Sequence, residues 1–518
     1  MANKGIVAAG HDLTLQAAAL MLEEGGNAFD AIIAAHLMAC VAEPVLASLG
    51  GGGFLLAYPN SRSPVIYDFF AHTPRRKRRV EELDFRPIVA DFGTAQQEFH
   101  IGQGTIATPG SVRGLFRIHR DLGTLPLTVI SAPAAEAARK GVTLNALQAY
   151  IFSIVSPIYT ATPGASQIFE SRQTPGQLMT EGEVIHQPEL ADVLEVLAIE
   201  GEALFYRGEI AARILVECRD GGGHLTGDDL ENYDVVLREP LALNYHESRI
   251  LTNPPPASGG ILIAFALRLL SQYAVANYGF GRGAWLELLS DIMFQTNRAR
   301  VEALTGNSTD SIIDEKRLLD PEFLDRYRSE VAGRHGAIRG TTHISVIDAE
   351  GNAASMTISN GEGCGSIVKD TGIMLNNMLG EDDLNPGGYH LWRADRRLTS
   401  MMTPTLLEIP NRGVFVTGSG GSNRIRSAVL QVLVNLIDFG MDIEAAVRAP
   451  RIHVEGDKLS AEGGFAAAEL EDLMKRFPDH EIWDDLNLFF GGAHSVAHLA
   501  SGYQGIGDPR RGGVCRTV

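Results

Sequence analysis

Apolar and polar positions along the chain change period near residue 341. Residues 13–24 are Ala- and Leu-rich and predict a helix, with Asp12 or Thr14 able to cap it and Gly25-Gly26 to stop it. Asn27 can cap a second helix over 28–42, ending before Pro44. That segment is apolar nearly all round, which predicts burial. Leu49-Gly50-Gly51-Gly52-Gly53-Phe54-Leu55-Leu56 then runs four glycines into an apolar strand, the sign of close backbone approach. Roughly from 120 to 330 the pattern is mostly helical, interrupted by a rigid turn at Pro254-Pro255-Pro256-Ala257-Ser258-Gly259-Gly260. Residues 306–340 are polar and read as a mobile segment. Beyond them residues 341–348 alternate, Ala349-Glu350-Gly351 turns the chain, and 352–359 alternate again, which predicts a hairpin. A further strand over 413–418 leads through Ser419-Gly420-Gly421-Ser422-Asn423-Arg424 into a helix over 425–439. Strands and helices in blocks favour stacked α/β layers over a doubly wound sheet. No internal repeat, low-complexity segment or dividing linker is visible.

Composition narrows the function classes. The 518 residues are 45% hydrophobic and 21% charged, a globular balance with ample core. A net charge of −19 argues against nucleic acid as a partner. The one basic cluster, Arg75-Arg76-Lys77-Arg78-Arg79, reads either as a solvated loop or as a contact for an anionic substrate. Four scattered cysteines form no CxxC pair, so neither a zinc site nor a disulfide framework is expected. The 15 histidines form no convincing metal pair with a carboxylate, and no cofactor is expected. No apolar run of membrane-spanning length and no secretory signal is visible, so the expected location is the cytoplasm, with no membrane partner.

Gly340-Thr341-Thr342-His343 carries the sharpest chemistry. A threonine heading a strand becomes a nucleophile with its own base if the chain cuts itself before it. Gly340 has no Cβ and permits the strained approach that such a cut needs. The hydroxyl attacks the preceding carbonyl, the peptide becomes an ester, and water separates the pieces. The freed α-amine, with a reference pKa of about 7.7–8.0, is partly neutral near pH 7 and can act as general base. Gly420-Gly421, at a strand-to-helix turn, can supply backbone N–H groups to an oxyanion.

An ordered series of motifs spans nearly the whole chain. It comprises Glu24-Gly25-Gly26-Asn27-Ala28, Leu49-Gly50-Gly51-Gly52-Gly53-Phe54, Ala107-Thr108-Pro109-Gly110-Ser111-Val112, the proline-rich turn at 254–260, and Thr341-Thr342-His343. Gly372-Ile373-Met374-Leu375-Asn376-Asn377, Thr403-Pro404-Thr405 and Thr417-Gly418-Ser419-Gly420-Gly421-Ser422 complete it. In these motifs the chain resembles the γ-glutamyltranspeptidase family. The resemblance implies a four-layer αββα sandwich of the N-terminal nucleophile hydrolase type. It implies a precursor cut into residues 1–340 and 341–518, which stay together as one intertwined domain. Thr341 takes the place of the nucleophile, and Ser359 that of a threonine that hydrogen-bonds it. The oxyanion pair is Gly420 with Gly421, or Gly421 with Ser422. The expected partners are a small-molecule amide and the two self-cleaved fragments, with a homo-oligomer of processed heterodimers left open.

The substrate-reading positions depart from the family. Members acting on glutathione hold the glutamyl α-carboxylate with an arginine; here Asp68-Phe69-Phe70-Ala71 puts Phe70 in its place. Losing that guanidinium removes about 1.5–3 kcal/mol of charge-assisted binding. After Asn376-Asn377 comes Met378-Leu379-Gly380-Glu381-Asp382-Asp383, so Met378 stands for the family's amide and Glu381 or Asp382 for its acid. Paired serines become Ser400-Met401, the asparagine beyond the second hydroxyl is displaced to Asn360, and the stretch 383–397 looks too short for a lid. The expectation is therefore a γ-glutamyltranspeptidase-like enzyme with a rewired acyl pocket. An amidase or acylase on another N-acyl group and an inactive binding homologue are the alternatives.

Overall fold

The computed structural model describes residues 3–91, 96–305, 318–327, 341–385 and 388–518. Most of 306–340, expected to be mobile, lies outside these residues, as does Gly340.

The strands Gly5–Ala9 (β1), Gly52–Tyr58 (β2), Val65–Phe69 (β3), Val236–Arg238 (β4), Leu241–Tyr245 (β5), Ser248–Thr252 (β6), Thr342–Asp348 (β7), Ala353–Ser359 (β8), Thr405–Ile409 (β9), Gly413–Thr417 (β10), Ser495–Leu499 (β11), Gly502–Ile506 (β12) and Val514–Thr517 (β13) build two antiparallel sheets. The first runs β13-β1-β7-β8-β2-β3-β4 and the second β12-β11-β10-β9-β6-β5. The expected hairpin is β7–β8, with Thr342 opposite Ile358 and Ile347 opposite Ala353. It lies between β1 and β2, so strands from both sides of position 340 are interleaved in the sheet.

The two-residue period of the strands sorts their side chains into layers. Ile344, Val346, Ala354 and Met356 join the cluster that contains Asp12–Glu23 (α1) and Ala28–Ala42 (α2). Ile347, Ala353, Phe54 and Leu56 face the other way and join Leu406, Leu407, Phe415 and Val416 of the second sheet. The helices Ser258–Leu270 (α3), Gly283–Thr305 (α4) and Arg424–Ile437 (α5) close the outer face of that sheet. The result is the αββα order.

Every residue of α2 is buried, as its all-round apolar pattern predicts, and Asn27 and Asp30 form a capping box at its start. The start of α1 differs from expectation. His11 caps it, its Nδ1 accepting from Leu13 N at 3.2 Å. Thr14 is turned inward and donates to Glu43 Oε1 at 2.8 Å, while Asp12 occupies the first turn. The helical middle also holds β4, β5 and β6, which the apolar pattern alone did not reveal. Close approach at the glycine run is real: a Cβ on Gly51 would lie 2.3 Å from the carbonyl oxygen of Ser359. Among the described residues no helix is long and apolar enough to cross a membrane.

Candidate active site

Continuing the β7–β8 register one residue beyond Thr342–Ile358 sets Thr341 opposite Ser359, which itself pairs with Gly52. Both are buried. The head of β7 is tied down on each face. Thr342 Oγ1 donates to Glu43 Oε2 at 3.0 Å, fixing the strand to the end of α2. His343 points between the sheets, where Thr357 and Ser345 contact its two nitrogens at 2.8 and 3.0 Å. Ser345 donates its proton to the carbonyl of His494, so it accepts from His343 Nε2–H, and His343 Nδ1 accepts from Thr357. Burial and the neighbouring His494 hold the His343 pKa well below the ordinary value, so this core histidine is neutral. Ser359 Oγ accepts from Gly361 N at 3.0 Å.

The turn after β10 lies against Thr341. A Cβ on Gly420 would come 2.0 Å from the carbonyl oxygen of Thr341, so only glycine lets the backbones meet there. Ser419 Oγ donates to Gly420 O and accepts from Gly492 N, locking the loop to the segment that leads into β11. Gly421 and Ser422 both have positive φ, 119° and 53°. Among the described residues their amides donate to no acceptor, and they sit just before the N-terminus of α5. That end of a helix favours negative charge. Arg511, also buried, donates from Nη1 to Thr341 O at 3.2 Å.

A cavity opens beside Thr341 and Ser359. Its apolar wall is Phe70, Leu384, Met401, Met402 and Ile425; Ser258, Thr399, Ser400 and Ser422 add hydroxyls, and Glu381 and Asp383 add acids. No arginine or lysine lines it among the described residues. Phe70 stacks on Phe54 at 5.3 Å between ring centres. Arg397 approaches the main chain of Phe70 but is spent on Asp68, the Phe70 carbonyl, Tyr233 and the carbonyl of Asp234.

The sequence-expected residues divide. Thr341, Ser359, Phe70, Glu381 and Ser400 meet at this cavity, and Gly420 and Gly421 flank Thr341. Asp382 does not: the 3₁₀ turn Asp382–Leu384 directs it to solvent and turns Asp383 inward instead. Asp383 accepts from Ser422 Oγ and, at 3.2 Å, from Asn423 Nδ2, bracing the loop. Asn360 is buried outside the cavity lining, with Nδ2 3.4 Å from Met374 O. The basic cluster does not reach the cavity. Arg78 donates to the carbonyl of Arg219, Lys77 to that of His390, and Arg75 pairs with Asp395. Glu43, Asp383 and Arg511 were missed; the meaning of each depends on an element far away in sequence.

Comparison with known proteins agrees with this architecture. The family model described as Gamma-glutamyltranspeptidase matches residues 14–518. The "Glutathione hydrolase proenzyme" of Escherichia coli (strain K12) is 31% identical over 509 residues, covering 91% of this chain and 85% of that protein. The "Acylase ACY 1 proenzyme" of Pseudomonas sp. (strain V22) is 28% identical, covering 92% and 87%. In structure, the cephalosporin acylase from Bacillus halodurans superposes with a TM-score of 0.85 across 99% of this chain and 96% of that one, at 24% identity, and shares the fold. Motifs, αββα layers and family match agree: the chain belongs to the γ-glutamyltranspeptidase family of hydrolases and acyltransferases.

Proposed function

We propose that this chain is a self-processing N-terminal threonine amidase whose acyl group lacks the α-carboxylate of a glutamyl substrate. The carrying observation is the junction of Thr341, opposite Ser359 and against the Gly420–Ser422 turn, with a cavity that no arginine or lysine lines among the described residues. Cleavage at Gly340–Thr341 gives residues 1–340 and 341–518. Thr341 Oγ then attacks the amide carbon of a small-molecule substrate while its own α-amine takes the hydroxyl proton. The N–H groups of Gly421 and Ser422, the two without acceptors, stabilise the oxyanion. Ser359 orients the Thr341 hydroxyl. The tetrahedral adduct collapses, the proton passes to the leaving amine, and an acyl ester remains on Thr341. Water, or an amine acceptor, attacks that ester and frees the acyl group. Interleaving of β1 and β2 with β7 and β8 supports lasting association of the two pieces.

The family's two named chemistries, glutathione hydrolysis and acylase activity in the relatives, leave the acyl group to be decided by the pocket. With acids and methionines facing Thr341, a carboxylate-bearing acyl group loses its counter-ion. A panel of chromogenic anilides tests this. γ-Glutamyl anilide is expected to fall behind the best neutral N-acyl anilide by about tenfold or more in kcat/KM, the worth of one charge-assisted pairing. A γ-glutamyl anilide that leads the panel contradicts the reading of the pocket.

A further inference from the structure

We propose that Arg511 is a positioning residue for the nucleophile: it clamps the main chain of Thr341 and holds a fixed positive charge beneath the Gly420–Gly421 backbone, beside the amine that cleavage frees. The inference rests on the reading of Thr341 as nucleophile.

Arg511 is 6% exposed, yet among the described residues it has no carboxylate within ion-pair distance. Its Nη1 donates to Thr341 O at 3.2 Å and its Nη2 to Leu488 O at 3.3 Å, while Nε is buried without an acceptor. A Cβ on Gly420 would stand 3.3 Å from Nη1 and one on Gly421 3.3 Å from Nη2, so the guanidinium lies close against both glycines. A buried cation held by carbonyls, with its carboxylates only at longer range, is costly and is not what a core selects for stability. Its place under the reacting residue gives it a purpose. Burial pushes its pKa down to about 10, opposed by Glu362, Asp508 and Glu43, so it stays charged near neutrality.

The surroundings of Thr341 explain why a cation is needed. Glu43 reaches the head of β7 through Thr342, Glu362 follows β8, and Glu381 and Asp383 face Thr341 across the cavity. From the C-terminal segment come His494 and Asp508, the latter paired with Arg451 and Arg510. His343 and His494 are kept neutral by burial. Left alone, the acids around Thr341 would hold its α-amine protonated, and a protonated amine cannot accept the hydroxyl proton. Arg511 opposes that, and its guanidinium also raises the positive potential at the Gly421 and Ser422 amides.

The test uses full-length Arg511→Gln and Arg511→Lys, checked for folding by circular dichroism and for cleavage by intact mass. The readout is kcat/KM against pH on the chromogenic anilide that the wild type turns over best. Arg511→Gln is expected to lose about tenfold in kcat with KM within about twofold, and to move its acid limb up by about one pH unit. Arg511→Lys keeps the charge, so its limb stays with the wild type while kcat falls. If Arg511→Gln folds but stays uncut, the clamp is supported and the Lys variant carries the pH arm. A folded, cut Arg511→Gln with a wild-type limb, a shifted limb in Arg511→Lys, or failure of both variants to fold overturns the proposal. Wild-type protein that is itself uncut and inactive contradicts the reading of Thr341 instead.

Discussion

Thr341 meets Ser359 through strand register, and its carbonyl meets Gly420 through the absence of a side chain. Replacement of Thr341 by Ala removes the only atom proposed to attack, so cleavage and turnover are both expected to vanish, while Thr341→Ser should still cut. Ser359→Ala removes one hydroxyl contact, worth about 0.5–1.5 kcal/mol, and should lower kcat by roughly two- to twelvefold with cleavage retained. Gel analysis of purified variants and anilide kinetics measure both; full activity in Thr341→Ala would end the assignment. At this scale much of the site was legible. Thr341 was legible as the head of an alternating strand after Gly340, whereas Ser359 and Phe70 were legible only through the family resemblance, which sets a hydroxyl and an arginine at those places. Asp383 could not be told from Asp382, since a single 3₁₀ turn decides which carboxylate faces inward. Arg511 lies 170 positions from Thr341 in sequence, and only the fold brings them into contact.

At the scale of elements, β7 and β8 are held by strands from the other side of the cut, with β1 on one flank and β2 on the other. The second sheet repeats this, β6 pairing with β9. Breaking one peptide bond therefore removes no ladder hydrogen bond, and the two pieces should elute together at physiological salt and part only under denaturant. Separate elution in native buffer would show that the interleaving does not hold them. The β2–β8 contact is also steric. Gly51→Ala places a methyl 2.3 Å from the carbonyl of Ser359 and is expected to cost roughly 1–3 kcal/mol, read as a lowered melting temperature. The α2 helix was legible because it is apolar on every side, and the hairpin because it alternates. Strands β4 to β6 were not, because short segments such as Leu241–Tyr245 become strands through their partners rather than their own pattern.

The whole molecule buries several histidines uncharged. Burial lowers His36 to about 3 and, as the largest influence on each, His453 and His494 to about 4; His343 lies well below its ordinary value. Unfolded histidine titrates near 6.5. Below that pH the unfolded chain binds protons that the folded one refuses, so stability is fully present above about pH 6.5 and falls as pH drops toward 4. Each such histidine contributes a slope of about 1.4 kcal/mol per pH unit, and urea midpoints should decline steeply from pH 6.5 to 5. A midpoint flat over that range would mean the histidines are not held neutral. The same fold that keeps them dry also brings Thr341, the Gly420–Ser422 turn and the cavity together from three distant parts of the chain. That convergence has a purpose only if Thr341 has a free amine. Intact mass with N-terminal sequencing of the purified protein is the most direct test: two chains, one beginning at Thr341, are predicted, and a single uncut chain after native incubation would contradict the account.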